Sequence, residues 1–312
     1  MKNSINSCQL GAISGRNWLV FAALMSILAV GSARAQSPDG DWKARTISPV
    51  ANPIYFEDPQ INSEVRPVFL DHRLPDTFHF SGGTVPLGGD IKVIATQLRY
   101  ALNDRLALIA TKDGYIMSQP DHTLSHTYGW ANLTAGLKYA CIDDKDDQFI
   151  LTPGFTVEIP TGDQRVFQGH GAGLWNVFAS AGKGWDDFHV TANTGFLIPD
   201  DFSKQTAQAH YSLQFDYYCC QYFIPFVTGN GYTVLSEANN KLLGAVDLNT
   251  ELYDLSDFGS TKAGGRTQVT LGAGFRSRLR KYLDFGFAYE FGATNPQGIF
   301  RDRFTLDFIW RF

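Results

Sequence analysis

His210 and Ser212 stand two residues apart in a run that alternates polar and apolar positions. A strand would put both on one face, as a nucleophile and its general base require. The same alternation sends Tyr211, Leu213, Phe215 and Tyr217 to the other face and turns the pair towards the side that Gln214 and Asp216 occupy. The acidic run Asp143-Asp144-Lys145-Asp146-Asp147 is a second candidate, for a cation. Calcium wants six to eight oxygens from a shaped loop, and Lys145 sits in the middle of this one, so a solvated turn is the simpler reading. His170, within Val166–Gly173, has no partner ligand at a fixed spacing, and this stretch is expected to be a flexible loop. No motif implies a cofactor or a resident metal.

A larger set shares one property. Arg99, Lys138, Glu158, His189, His210, Asp216, Arg276, Asp284, Glu290, Arg303, Asp307 and Arg311 all fall on the polar side of alternating segments. If those sides line a lumen, Arg99, Lys138, Arg276, Arg303 and Arg311 supply its positive charge. Glu158, Asp284, Glu290 and Asp307 supply the negative, and together they would set selectivity. The competing reading is that opposite charges pair across neighbouring strands and stiffen the interior. Gly136, Gly154, Gly195, Gly272, Gly274 and Gly286 share these faces and would leave room there.

The elements that must carry these residues are strands. At the C-terminus Phe304, Leu306, Phe308, Trp310 and Phe312 are apolar at every second position, between Arg303, Thr305, Asp307 and Arg311. That is a strand between hydrocarbon and water. From Asp90 onward similar segments follow one another: 91–102, 105–112, 131–142, 148–160, 174–182, 188–199, 210–218, 222–234, 267–276 and 282–292. Their connections alternate between short polar turns and longer loops, among them a long outer loop at 235–266, as in a membrane barrel with tight periplasmic turns. Counting back from a periplasmic C-terminus, parity needs one more ascending strand, and 64–80 is the candidate despite Pro67 and Pro75. The expected fold is all-β, a transmembrane antiparallel up-and-down β-barrel of about twelve strands. Tyr100, Tyr139, Phe188, Tyr222, Tyr282 and Trp310 would form an inner aromatic belt, and Tyr115, Trp130, Trp175, Phe196, Tyr232 and Phe300 an outer one.

The first 35 residues read as a signal peptide, with Lys2 and Arg16 ahead of apolar Trp18–Val30 and an Ala33-Arg34-Ala35 cleavage site. The apolar stretch is too short to span a bilayer as a helix, for which about 20 residues are needed. Residues 36–62, rich in Pro and Asp, are expected to form a periplasmic arm or plug, and residues 63–312 the barrel. Cleavage removes Lys2, Arg16 and Arg34 and no acid, taking the formal charge from −5 to −8 and arguing against nucleic acid as a partner. Three cysteines remain, Cys141, Cys219 and Cys220, all near predicted periplasmic strand ends. An odd number is no disulfide framework, which leaves structural roles or one incidental disulfide.

Glu158-Ile159-Pro160-Thr161-Gly162-Asp163 ends one segment, and Gly169-His170-Gly171-Ala172-Gly173 precedes the next. A strand ending in Pro-Thr-Gly-Asp before a Gly-x-Gly loop resembles the MetA-pathway phenol-degradation family of outer-membrane proteins, over roughly residues 130–200. The resemblance implies a barrel transporter in the cell outer membrane of a Gram-negative bacterium, passing a small aromatic or hydrophobic solute. The terminal strand ending at Phe312 is also similar to the assembly signal of outer-membrane barrels, which implies the barrel-assembly machinery and outer-membrane lipid as partners. His210-x-Ser212 is similar to an arrangement in outer-membrane phospholipase, where the pair faces lipid. Three functions are thus carried forward: passive solute passage, lipid hydrolysis at His210/Ser212, and a structural or adhesive barrel acting through its outer loops. The first is the expected one, with no enzymatic role.

Overall fold

The computed structural model describes residues 42–80, 82–240, 247–294 and 299–312. The expected leader at 1–35 and the first residues of the arm lie outside that range.

Alternation of apolar and polar residues gives twelve barrel strands among the described residues. They are β1 (Glu64–Arg73), β2 (Asp90–Ala101), β3 (Leu106–Lys112, continued as Tyr115–Gln119) and β4 (Thr127–Trp130, continued as Leu133–Tyr139). Then come β5 (Phe149–Ile159), β6 (Leu174–Trp185), β7 (Phe188–Pro199) and β8 (Ala207–Tyr217). The last four are β9 (Ile224–Ser236), β10 (Thr267–Arg280), β11 (Leu283–Gly292) and β12 (Asp302–Arg311). Each is antiparallel to its sequence neighbours. β1 pairs with both β2 and β12, which closes the sheet, and of these strands only the short Thr127–Trp130 piece is paired on a single side.

Several expectations shift at the outer rim. The first strand stops at Arg73, and Thr77–Phe80 instead pairs with Gly83–Pro86 in a small separate hairpin. Pro67 sits in the closing strand because the β1–β12 register skips Arg66 and Pro67, so its missing N–H interrupts one ladder while the β2 ladder continues. The region of His122, His126 and Tyr128 is shorter as a loop than expected, since β3 runs on to Gln119 and β4 begins at Thr127. Both strands break at one level, at Asp113–Gly114 and Ala131–Asn132. Gly114 has φ +104°, and a Cβ there would lie 2.4 Å from the Ile94 carbonyl oxygen, so only glycine suits the break.

The outer wall is apolar and ringed by aromatics. Trp130 is 65% and Trp310 60% exposed, and Tyr100, Tyr139, Tyr222 and Tyr282 are exposed as well. This is the wall of a barrel that meets lipid. Two members of the expected outer belt are not in it. Tyr232 is 3% exposed because its register partner is His210 on the inward face of β8. Phe300 is 7% exposed, turned in beneath Arg303 and against His72.

Candidate functional site

The lumen is the site, and two chain segments occupy it. The first is 42–62, which enters beside the short turns, rises to a bend at Asn52–Tyr55 and returns to begin β1. Lys43 pairs with Asp143 at 2.5 Å and Arg45 with Asp187 at 3.0 Å, fixing the entry to two turns. Further up, wall guanidiniums hold backbone oxygens, Arg276 that of Ser48 at 3.1 Å and Arg66 that of Pro49 at 2.5 Å. Gln97 donates to the Pro53 carbonyl at 2.7 Å. On the return, the Glu57 carboxylate takes both Arg99 (2.6 Å) and Lys138 (2.8 Å), and Lys138 also donates to the carbonyls of Asp58 and Gln60. Burial alone would push the Glu57 carboxyl up. The two cations against it outweigh that and hold it well below the usual carboxylate range. Ile47, Val50, Ala51, Ile224, Phe226 and Ala288 make an apolar seal around the rising limb.

The second segment comes from the other end. The loop after β9, expected outside, folds inward, and residues 250–260 are all buried. Asp254 pairs with Arg303 at 2.6 Å, and Arg303 also reaches Glu290 at 3.2 Å. Glu290 accepts the Asn52 amide of the first segment at 3.4 Å, so the two segments share one charged link. Glu251 and Asp257 are buried carboxyls that accept backbone N–H groups of Phe258, Ser260, Gly259 and Thr206. Burial pushes the Asp257 carboxyl up to about 7, and burial beside Asp257 raises Glu251 well above its ordinary value.

The Gly-rich stretch before β6 is packed rather than free, which corrects the expectation for Val166–Gly173. Asp163 caps a short 3-10 turn, Gln164–Val166, and the Asn132 side-chain oxygen accepts the amides of Gly162 (2.9 Å) and Gly169 (2.8 Å). Gln168 then donates to the Leu255 carbonyl at 2.8 Å, and the His170 ring meets the Asp257 carbonyl. The stretch that follows the Pro-Thr-Gly-Asp motif is therefore a clasp for the inward loop, through Gln168 and His170.

The alternation turns the expected lumen residues to the inner face of the wall. Arg99, Lys138, Glu158, Arg276, Asp284, Glu290, Arg303 and Asp307 are buried on the inward face, and Arg311 is half-buried at the rim beside Asp284, at 2.8 Å. Asp307 lies between Arg276 (2.9 Å) and Arg66. Glu158 takes Lys112 at 3.0 Å. The room left by Gly286 is filled, since a Cβ there would meet Asp307, Val50 and Arg276. Sequence reasoning missed Glu57, Arg66, Lys112 and Asp254, each a partner of an expected lumen residue. Arg66 and Lys112 were visible as inward positions of strands, whereas nothing local marks Glu57 and Asp254.

His210 and Ser212 point inward as expected but do not form a pair. The His210 ring is bonded to the Asn176 side-chain oxygen at 2.8 Å and stacked on Tyr55 at 5.0 Å, while Ser212 accepts from Asn52 at 3.2 Å. Cys141, Cys219 and Cys220 are free thiols at the short turns. Asp143 is taken by Lys43, and Asp144 accepts the amides of Asp146 and Asp147, so the acidic run is a self-capped turn.

The barrel has relatives among solved structures. It is similar to an outer-membrane channel from Pseudomonas putida F1, at 13% identity and a TM-score of 0.58, over 86% of this chain and 100% of that one. The NanC porin (7% identity, TM-score 0.49, 80% and 100% covered) and the translocator domain of the autotransporter NalP from Neisseria meningitidis (10%, 0.49, 95% and 96%) are more distant. No family model and no curated protein matches the sequence. The likeness to the Pseudomonas channel is one of fold: a closed, all-β transmembrane barrel of twelve strands.

Proposed function

We propose that the chain is an outer-membrane channel for passive passage of a small solute, closed at rest by the two segments in its lumen. The observation that carries this reading is what fills the barrel. Its interior is taken up not by wall side chains, as eight-stranded barrels are, but by two stretches of chain that are no part of the wall. Withdrawing 42–62 and 247–263 would leave a continuous polar lumen. The charges on Arg99, Lys138, Glu158, Arg276, Asp284, Glu290, Arg303, Asp307 and Arg311, now largely engaged in pairs, would then face the pathway and set its selectivity. The terminal strand ending in exposed Phe312 would be what the assembly machinery reads.

Planar-bilayer recording of the refolded protein tests the reading. Glu57→Gln leaves Arg99 and Lys138 without their shared counter-charge inside the barrel, a change that typically costs roughly 3–5 kcal/mol. The expected result is rare, discrete openings in the wild type and frequent ones in the variant. A folded barrel that stays silent in both would refute it.

A further inference from the structure

We propose that, while the plug stays pinned to the charged side, small uncharged molecules bearing hydroxyl or amide groups cross along the opposite wall, that of β7, β8 and β9. The proposal rests on the reading of the protein as a channel. Register puts the inward residues of these strands in successive rows. Thr191, Gln214 and Thr228 form one row, Asn193, Ser212 and Asn230 the next, and His210 with Tyr232 the one above. In the first row the Thr191 and Thr228 hydroxyls and both polar ends of the Gln214 amide are buried with no partner in the protein. Above it the side-chain oxygens of Asn193 and Asn230 are unpartnered, then the His210 Nδ1 and the Tyr232 hydroxyl. The series begins at His189, bonded to Asp216 at 2.8 Å, and ends at Gln208. It covers four steps of two residues, about 27 Å along the strand, which matches the roughly 25 Å apolar band of such barrels.

Burying unmet donors and acceptors lowers stability, and valine or leucine in their place would hold the plug more firmly. Others occur singly or in small groups on β1, β5, β11 and β12, but the continuous series at lipid depth runs on β7–β9, and such a series is what a hydrogen-bonding pathway needs. The plug is also held least on this side. Its ion pairs run to Arg99, Lys138 and the turn residues Asp143 and Asp187, and its backbone is gripped from Arg66, Gln97 and Arg276. Against β7–β9 it makes no ion pair among the described residues, only one hydrogen bond, Asn52 to Ser212, ring contacts of Tyr55 with His210 and Tyr232, and the apolar packing of Ile47, Val50 and Ala51 on Ile224 and Phe226. A plug pinned on the charged side parts from the neutral one. The seam so opened offers exchangeable hydrogen bonds and, on its three strands between the ends, no acidic or basic residue other than His210. The neighbouring Glu290 carboxylate, which takes Asn230 at 2.8 Å, is already paired with Arg303, so an ion would be desolvated there with little compensation.

Osmotic swelling of proteoliposomes holding the full-length protein distinguishes these roles. In the wild type, erythritol should enter at least about fivefold faster than glycerate of similar size. Thr191→Val with Thr228→Val removes two hydroxyls at nearly constant volume. Because one lost hydrogen bond in the seam is a factor of about five, erythritol entry should fall at least that much, with thermal stability kept or raised. Thr228→Ser, which keeps the hydroxyl, should retain the wild-type rate and serves if the double variant folds poorly. Glycerate as fast as erythritol, or an erythritol rate unmoved by the valines in a barrel that passes other solutes, overturns the proposal alone. A wild type closed to every solute and ion overturns the channel reading with it.

Discussion

Single residues do most of the work of keeping the lumen shut, and Gly286 shows how tightly. A Cβ at that position would lie 2.3 Å from Asp307 Oδ1 and 2.8 Å from Val50. Gly286→Ala must therefore displace either the Asp307 ion pairs or the plug, an overpacking that costs roughly 1–3 kcal/mol. The expected outcome is a lower melting temperature together with more frequent channel openings. Arg303 is the second informative position, because it ties Asp254 of the inward loop to Glu290 of the wall. In the Glu57→Gln background, Arg303→Gln removes a positive charge from the pathway, so the salt-gradient reversal potential should move towards cation preference. An unchanged potential would show that current does not pass Arg303. Position on a face was legible in the sequence for both residues, since period-two alternation decides it. Their partners were not, because Asp254 and Val50 come from segments with no periodicity to read.

At the scale of elements, the inward loop carries a pH dependence. Asp257 is packed against Thr206, Glu251 and the His170 ring, with Glu158 and Lys112 nearby, and its carboxyl keeps a proton in the docked loop that it would lose in a freed one. Docking is therefore strongest below the ordinary carboxylate range, near pH 4, and weakens as pH rises towards 7. His170 acts in the opposite sense: burial lowers it, so its contribution falls away as the medium becomes acidic. Protease nicking of 247–263 should increase between about pH 5 and about pH 7 in the wild type and increase less in Asp257→Asn, where the raised Glu251 carboxyl remains. The strands from β5 onward were readable to within a few residues, as in β7, where expectation and structure agree at 188–199. The loop was not, since Glu251, Asp254 and Asp257 look like solvent-facing acids until the wall residues that receive them are known.

For the whole molecule, closure depends on β1 meeting β12, the strand that ends one residue before Phe312. Phe312 is 71% exposed, and its amide donates to the Ser63 carbonyl at 3.2 Å, so its ring is free to be recognised while its backbone completes the seam. Phe312→Ala should reduce the amount of heat-modifiable barrel assembled in cells while leaving detergent refolding nearly unchanged. Equal yields in cells would argue against a recognition role. The number of strands was legible from parity alone, but the occupancy of the lumen was not, because the N-terminal arm reads as a Pro-rich connector. The order of its anchors has a mechanical consequence. Lys43, Arg45, Ser48, Pro49, Pro53 and Glu57 are held one after another along a single strand of chain. A pull on Trp42 from the side of the short turns loads these contacts in sequence, as a zipper, whereas solute pressing from the opposite mouth loads them all together, in shear. The same stopper is thus weak to traction from within the cell and strong against pressure from outside it.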